Sequence, residues 1–166
     1  MNKKRFLFFK KDSKGQVWVE TVVYTLIAFV LLGLVLTFAK PKIEELQDKM
    51  LIEQSVKVLE DIDLIIKTFG ESGNQRLIGL GISKGTLSID GENDQLFFKI
   101  ESRYAYSEPG QNVTSGDILV QTQKVGKINE VTLIRDYKDE YNITFQDTDE
   151  IGQISKASTP YKILIT

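Results

Sequence analysis

The chain of 166 residues contains no cysteine and no histidine. Without cysteine there are no disulfides and no thiolate nucleophiles; without histidine there is no imidazole base, and nearly every structural zinc site is excluded. Acid–base chemistry would fall to the carboxylates, which are spread over loops and helix faces with no paired constellation. No catalytic residue, cofactor or metal site is therefore expected, and no enzyme. An excess of positive charge is also lacking, since the net charge is −2. Nucleic acid binding draws its affinity from Lys and Arg displacing counterions, so DNA and RNA are not expected partners. Absence of cysteine fits a cytoplasmic and an external protein alike and leaves the compartment open.

The charge that is present is segregated. Six bases (Lys3, Lys4, Arg5, Lys10, Lys11 and Lys14) precede Gly15 against one acid, Asp12, which leaves fifteen bases and twenty-two acids from Gln16 onward. Directly after this basic stretch, Val17 to Phe38 forms a run of 22 residues of which 14 are Val, Leu, Ile or Phe. About 20 such residues cross a bilayer core. Basic flanks stay in the cytosol, so the expected orientation runs from inside to outside with the C-terminal part exported. A secretory signal has a shorter apolar core and ends at a small-residue cleavage site. Here "TFAKPKIEELQD" follows, with charges and a proline and no A-x-A pattern, so the run is expected to be retained.

Beyond Pro41 apolar residues recur at three- and four-residue steps: Ile43, Leu46, Met50, Ile52, Val56, Leu59, Ile62, Ile65, Ile66 and Phe69. That spacing predicts an amphipathic helix whose stripe packs on the remaining domain. Proline bends a helix without necessarily ending it, so one gently broken helix is expected from about Gln16 to Phe69, stopped at Gly70. From Arg76 the period changes to two. "GTLSID" and "QLFFKIESRYAYS" flank the turn "GEND", and "DILVQTQK" and "EVTLIRDY" flank "VGKIN", which predicts two hairpins. "EYNITFQ" and "YKILIT" are two further candidate strands, "SEPGQNVTSGD" is the longest candidate loop, and Phe97, Phe98, Tyr104 and Tyr106 are expected to alternate along one strand. Five to seven strands with one face covered by the helix give an α+β head. Asp90, Glu92 and Asp94 alternate but lack the remaining spacing and terminal glutamate of a calcium loop, and read as a turn.

The leader, the segment "KGQVWVE" from Lys14 to Glu20, the apolar helix and the β-rich head together resemble an archaeal type IV pilin precursor, the class III signal peptide family. The resemblance is close over the first 40 residues and architectural only in the head. It implies that a membrane aspartic peptidase, the prepilin peptidase, cuts between Gly15 and Gln16, making Glu20 the fifth residue of the mature chain. Trp18 stands where many such signals have a small residue. The implied division is a leader over 1–15, a membrane-spanning and filament-core helix over 16–40, its amphipathic continuation over 41–69 and an extracellular head over 70–166. As a precursor the chain would sit in the cell membrane with its N-terminus cytoplasmic, and after processing self-associate into a helical surface filament. An archaellin, the subunit of the archaeal swimming filament, shares the leader and helix but tends to have a larger outer domain.

Physical reasons accompany each piece. Glycine presents an unencumbered backbone for cleavage. Leader bases hold the anionic inner surface at about 1 kcal/mol each. Near the end of the span the Glu20 carboxylate costs at most about 3 kcal/mol, against about 0.3 to 0.6 kcal/mol gained for each apolar residue, so insertion survives. Buried in a filament, Glu20 would pair with the new α-amine of Gln16 on an adjacent subunit and fix axial register; the alternative is that it snorkels to the interface. Asn112-Val-Thr114 and Asn142-Ile-Thr144 fit the glycosylation acceptor pattern. Two other classes remain: an uncleaved single-pass anchor displaying a binding domain, for which Gly15 is incidental, and an exported hydrolase, which would need clustered carboxylates in the head.

Overall fold

The computed structural model describes residues 13–68 and 75–165. Most of the leader, Phe69 and the stop expected at Gly70 lie outside the described residues. One helix, α1, spans Ser13–Lys67 and carries Pro41 in its interior. Proline costs one backbone hydrogen bond, and the flanking turns are good helix formers, so the element continues through it. The chain divides into two compact units, Met1–Lys42 and Ile43–Thr166.

The second unit is α+β. Eight strands follow α1: β1 Arg76–Leu80, β2 Thr86–Asp90, β3 Gln95–Ser102, β4 Asn112–Ser115, β5 Ile118–Val125, β6 Ile128–Asp136, β7 Gly152–Ser155 and β8 Tyr161–Ile165. Six of them form an antiparallel sheet in the order β4-β5-β6-β3-β2-β7, and β1 pairs with β8 in a separate ribbon. Both expected hairpins are present. β2 and β3 close around Gly91–Asp94, and β5 and β6 close around Gly126–Lys127, where Gly126 takes a positive φ of 64°. Such a conformation suits a residue with no Cβ.

Register aligns the core. Val120 stands opposite Leu133, Leu133 opposite Phe98, Phe98 opposite Leu87, and Leu87 opposite Ile154, so one apolar row crosses five strands. Ile52, Val56, Leu59 and Ile62 of α1 belong to the same buried cluster, so the helix packs on this face of the sheet. Period-two alternation on the strands and a three-to-four-residue stripe on the helix thus meet across one interior, the two-layer solution for elements with one apolar side each.

Five expectations need correction, the first being strand number, because eight strands form where five to seven were expected. Ile43, Leu46 and Met50 are exposed at 53%, 53% and 58%, so the helix stripe that packs on the sheet starts later and includes Asp48 and Ser55. β3 ends at Ser102, which leaves Phe97 and Phe98 on the strand and Tyr104 and Tyr106 beyond it. There the Ser102 hydroxyl donates to the Tyr104 carbonyl and accepts from the Tyr104 N–H, turning the chain out of the sheet. The long candidate loop contains β4, because Asn112–Ser115 pairs with β5 as an edge strand. "EYNITFQ" is not a strand. The Ile143 N–H donates to Asp94 Oδ1, and the Phe145 ring occupies the space where a Cβ on Gly152 would lie. That segment is a strap over the β2–β3 turn, and the adjacent strand is β7.

Candidate functional site

Side chains from Val17 to Phe38 are exposed, the large apolar ones from 45% at Val22 to 75% at Phe38. Contiguous apolar patches of more than a few hundred Å² are rare on soluble monomers and mark interaction surfaces. Among the described residues this is the one helix long and apolar enough to cross a membrane. Its threonine hydroxyls are accommodated locally. The hydroxyls of Thr21, Thr25 and Thr37 donate to the carbonyls of Val17, Thr21 and Gly33 at 2.9, 2.7 and 2.8 Å, one turn back in each case. In hydrocarbon an unsatisfied hydroxyl costs several kcal/mol, so this back-bonding makes the threonines compatible with lipid or with another apolar helix.

The Gly15–Gln16 peptide lies in the first turn of α1. Glu20 follows on the exposed helix surface. Asn112 is exposed on edge strand β4, opposite Gln121, and Asn142 is exposed between β6 and β7. The two asparagines therefore sit on separate elements, each accessible to modifying chemistry.

In the second unit, the polar groups that draw notice hold the fold. At one end of the sheet-facing stripe, Asp48 is buried and accepts from Lys84 Nζ at 2.6 Å and from the Arg103 N–H at 2.7 Å, while Arg103 Nη1 meets Glu44 at 2.9 Å. A cavity of about 210 Å³ lies beside these groups, and the Asp48–Lys84 and Glu44–Arg103 pairs form part of its wall. At the other end Arg135, 4% exposed, donates to Asp63 at 2.7 Å and to Glu140 at 2.8 Å, and also to the Asp136 carbonyl. Its guanidinium lies 4.3 Å from the centre of the buried Tyr137 ring. Lys67 bridges Asp63 at 2.9 Å and Asp117 at 2.6 Å.

Protonation follows this geometry. Burial pushes the Asp63 carboxyl up, but hydrogen bonds from Lys67 and Arg135 outweigh it and hold the group below the usual carboxylate range. The Lys67 contact likewise lowers Asp117. Burial first, and then the neighbouring Asp63 charge, raise the Tyr137 phenol above its ordinary value. The lowered carboxylates stay charged in their ion pairs at neutral pH, and the raised phenol stays neutral.

Sequence reading missed both clamps, although one left a signal. Val131, Leu133 and Arg135 occupy alternate positions of β6, so Arg135 falls in phase with the core, and an arginine there demands a carboxylate. Which carboxylate answers is a matter of tertiary contact. The Asp90 carboxylate accepts from Asn93 within the turn, and Asp94 accepts from Ile143 of the strap. Among the described residues, no group of three or more metal-ligating side chains is gathered. Compared with protein-family models, with curated proteins and with solved structures, the chain matches none.

Proposed function

We propose that the chain is a structural subunit, a pilin, of an archaeal type IV pilus-like surface filament that serves adhesion or contact with surfaces. The apolar surface of Val17–Phe38 carries this reading, because it is exposed throughout and follows a strongly basic stretch. Lipid covers such a surface in the precursor and sister subunits cover it in the filament. The leader would be removed by the prepilin peptidase between Gly15 and Gln16. Loss of its six bases weakens the hold of the inner membrane face, and the exposed helix can then leave the bilayer lengthwise. In the filament, Glu20 meets the α-amine of Gln16 on a neighbour, and the register of the array follows from that pair. The head, whose buried core already includes part of α1, faces outward with Asn112 and Asn142 open to glycosylation.

Mass spectrometry of the N-terminus of the chain isolated from cells is the test. Processing predicts a mature chain beginning at Gln16. An intact, membrane-embedded chain beginning at Met1 would overturn the pilin reading and leave a tethered binding domain. A mature chain blocked as pyroglutamate in working filaments would uphold processing and eliminate the amine pairing, because cyclisation removes the charge.

A further inference from the structure

We infer that two membrane-embedded copies of the chain pair side by side, in parallel and in register, through Ile43, Leu46 and Met50 of α1. The inference rests on the reading that Val17–Phe38 spans a membrane, and it goes beyond that reading in concerning the chain before any filament forms. These three apolar side chains are more than half exposed although they belong to the folded second unit. Ile43 and the fully buried Ile52 are nine residues apart, about two and a half turns at 3.6 residues per turn, so they point to opposite sides of the helix. One side is committed to the sheet; the other is apolar and uncovered.

Lipid is a poor occupant for this second face. Lys40 and Lys42 end the apolar run before it begins, and Glu44, Glu45, Asp48 and Lys49 are interspersed with it. Glu44 and Asp48 are engaged by Arg103 and Lys84 on the sheet side, and Lys49 is within 3.7 Å of Glu53, so these three charges beside the stripe have partners within the chain.

A second copy fits better. Steps of three and four place Ile43, Leu46 and Met50 at successive seam positions of a heptad, with a β-branched residue at the first and leucine at the second, the choice that favours two parallel strands. Copies anchored in one membrane share orientation and height, so each seam residue meets its own counterpart across a twofold axis. Three residues form a small contact, but confinement to the bilayer raises the effective concentration. After Met50 the corresponding positions are Glu53 and Lys57, so the seam closes there.

Absence of cysteine makes the test clean. Leu46→Cys and Met50→Cys variants of the full chain, oxidised in native membranes, are expected to give disulfide-linked dimers, whereas Lys127→Cys in the exposed β5–β6 turn is not. The dimer band should retain the mass of the leader-bearing chain. Adding Ile43→Ser and Leu46→Ser to Met50→Cys should abolish its dimer while the near-ultraviolet tyrosine signal of the head is unchanged. Equal cross-linking at all three positions would show collision alone and overturn the pairing. No cross-link in a chain that resists alkaline extraction would overturn the pairing and leave the membrane reading standing. Release of the chain by alkali would overturn both.

Discussion

Helix α1 presents the same kinds of side chain in two settings. Leu31 in the first unit is 56% exposed, whereas Leu59 in the second is fully buried. Both are leucines within one helix, so intrinsic propensity does not separate them. Their neighbours do. Around Leu31 the sequence is apolar on every side and leaves the helix no polar face to turn to water, a surface suited to lipid or to other apolar helices. Around Leu59 charges fill the opposite face, and the sheet supplies cover from within the chain. The first stretch is left exposed by the described residues, and the second is covered from within the chain.

That division can be broken by single substitutions with region-specific readouts, since the only tryptophan is Trp18 and five of the six tyrosines lie beyond Lys42. Leu59→Ala should destabilise the head by about 3 to 4 kcal/mol through a core cavity, seen as a lower Tm of the tyrosine signal, with membrane association and Trp18 fluorescence unchanged. Leu31→Arg should do the reverse. Its cost to insertion is about 3 kcal/mol, read as release by alkaline extraction, with no loss in the Tm of the head. If either substitution moved both readouts, the two regions would not be independent.

Asp63→Asn is expected to cost the head about 2 to 3 kcal/mol, because Arg135 stays buried and loses one of its two carboxylates. A finer version uses acid. With its folded-state pKa below the ordinary 3.8, Asp63 contributes stability above that value that is lost as pH falls through the lower one. The Tm of the head should therefore drop below about pH 4, and Asp63→Asn should flatten part of that acid limb. Smallest of all, Leu46→Ser should change the stability of the head by no more than about 0.5 kcal/mol, since its side chain is exposed.

Much of the site and fold was legible in particular residues. The apolar run from Val17 to Phe38 announced a helix long and apolar enough to span a membrane, and "GEND" and "VGKIN" announced hairpins by turn chemistry. The strap at Ile143–Phe145 was not legible, because its alternation is that of a strand and only the space over Gly152 explains why it leaves the sheet. Nor was the split of the amphipathic stripe. Ile43, Leu46 and Met50 obey the same spacing rule as Ile52, Val56 and Leu59, and the rule marks apolar faces without saying how many the helix has.

Sequence by itself determined the elements whose cause is local: the long helix, the main hairpins, the segregation of charge and the apolar span, since periodicity, turn residues and hydropathy act between near neighbours. Tertiary structure alone decided which apolar face of α1 the sheet covers, which carboxylates answer Arg135 and Lys84, and where the chain departs from β pairing. Those outcomes depend on groups dozens of positions apart meeting at hydrogen-bond and van der Waals range, where contact geometry selects among partners that composition leaves equivalent.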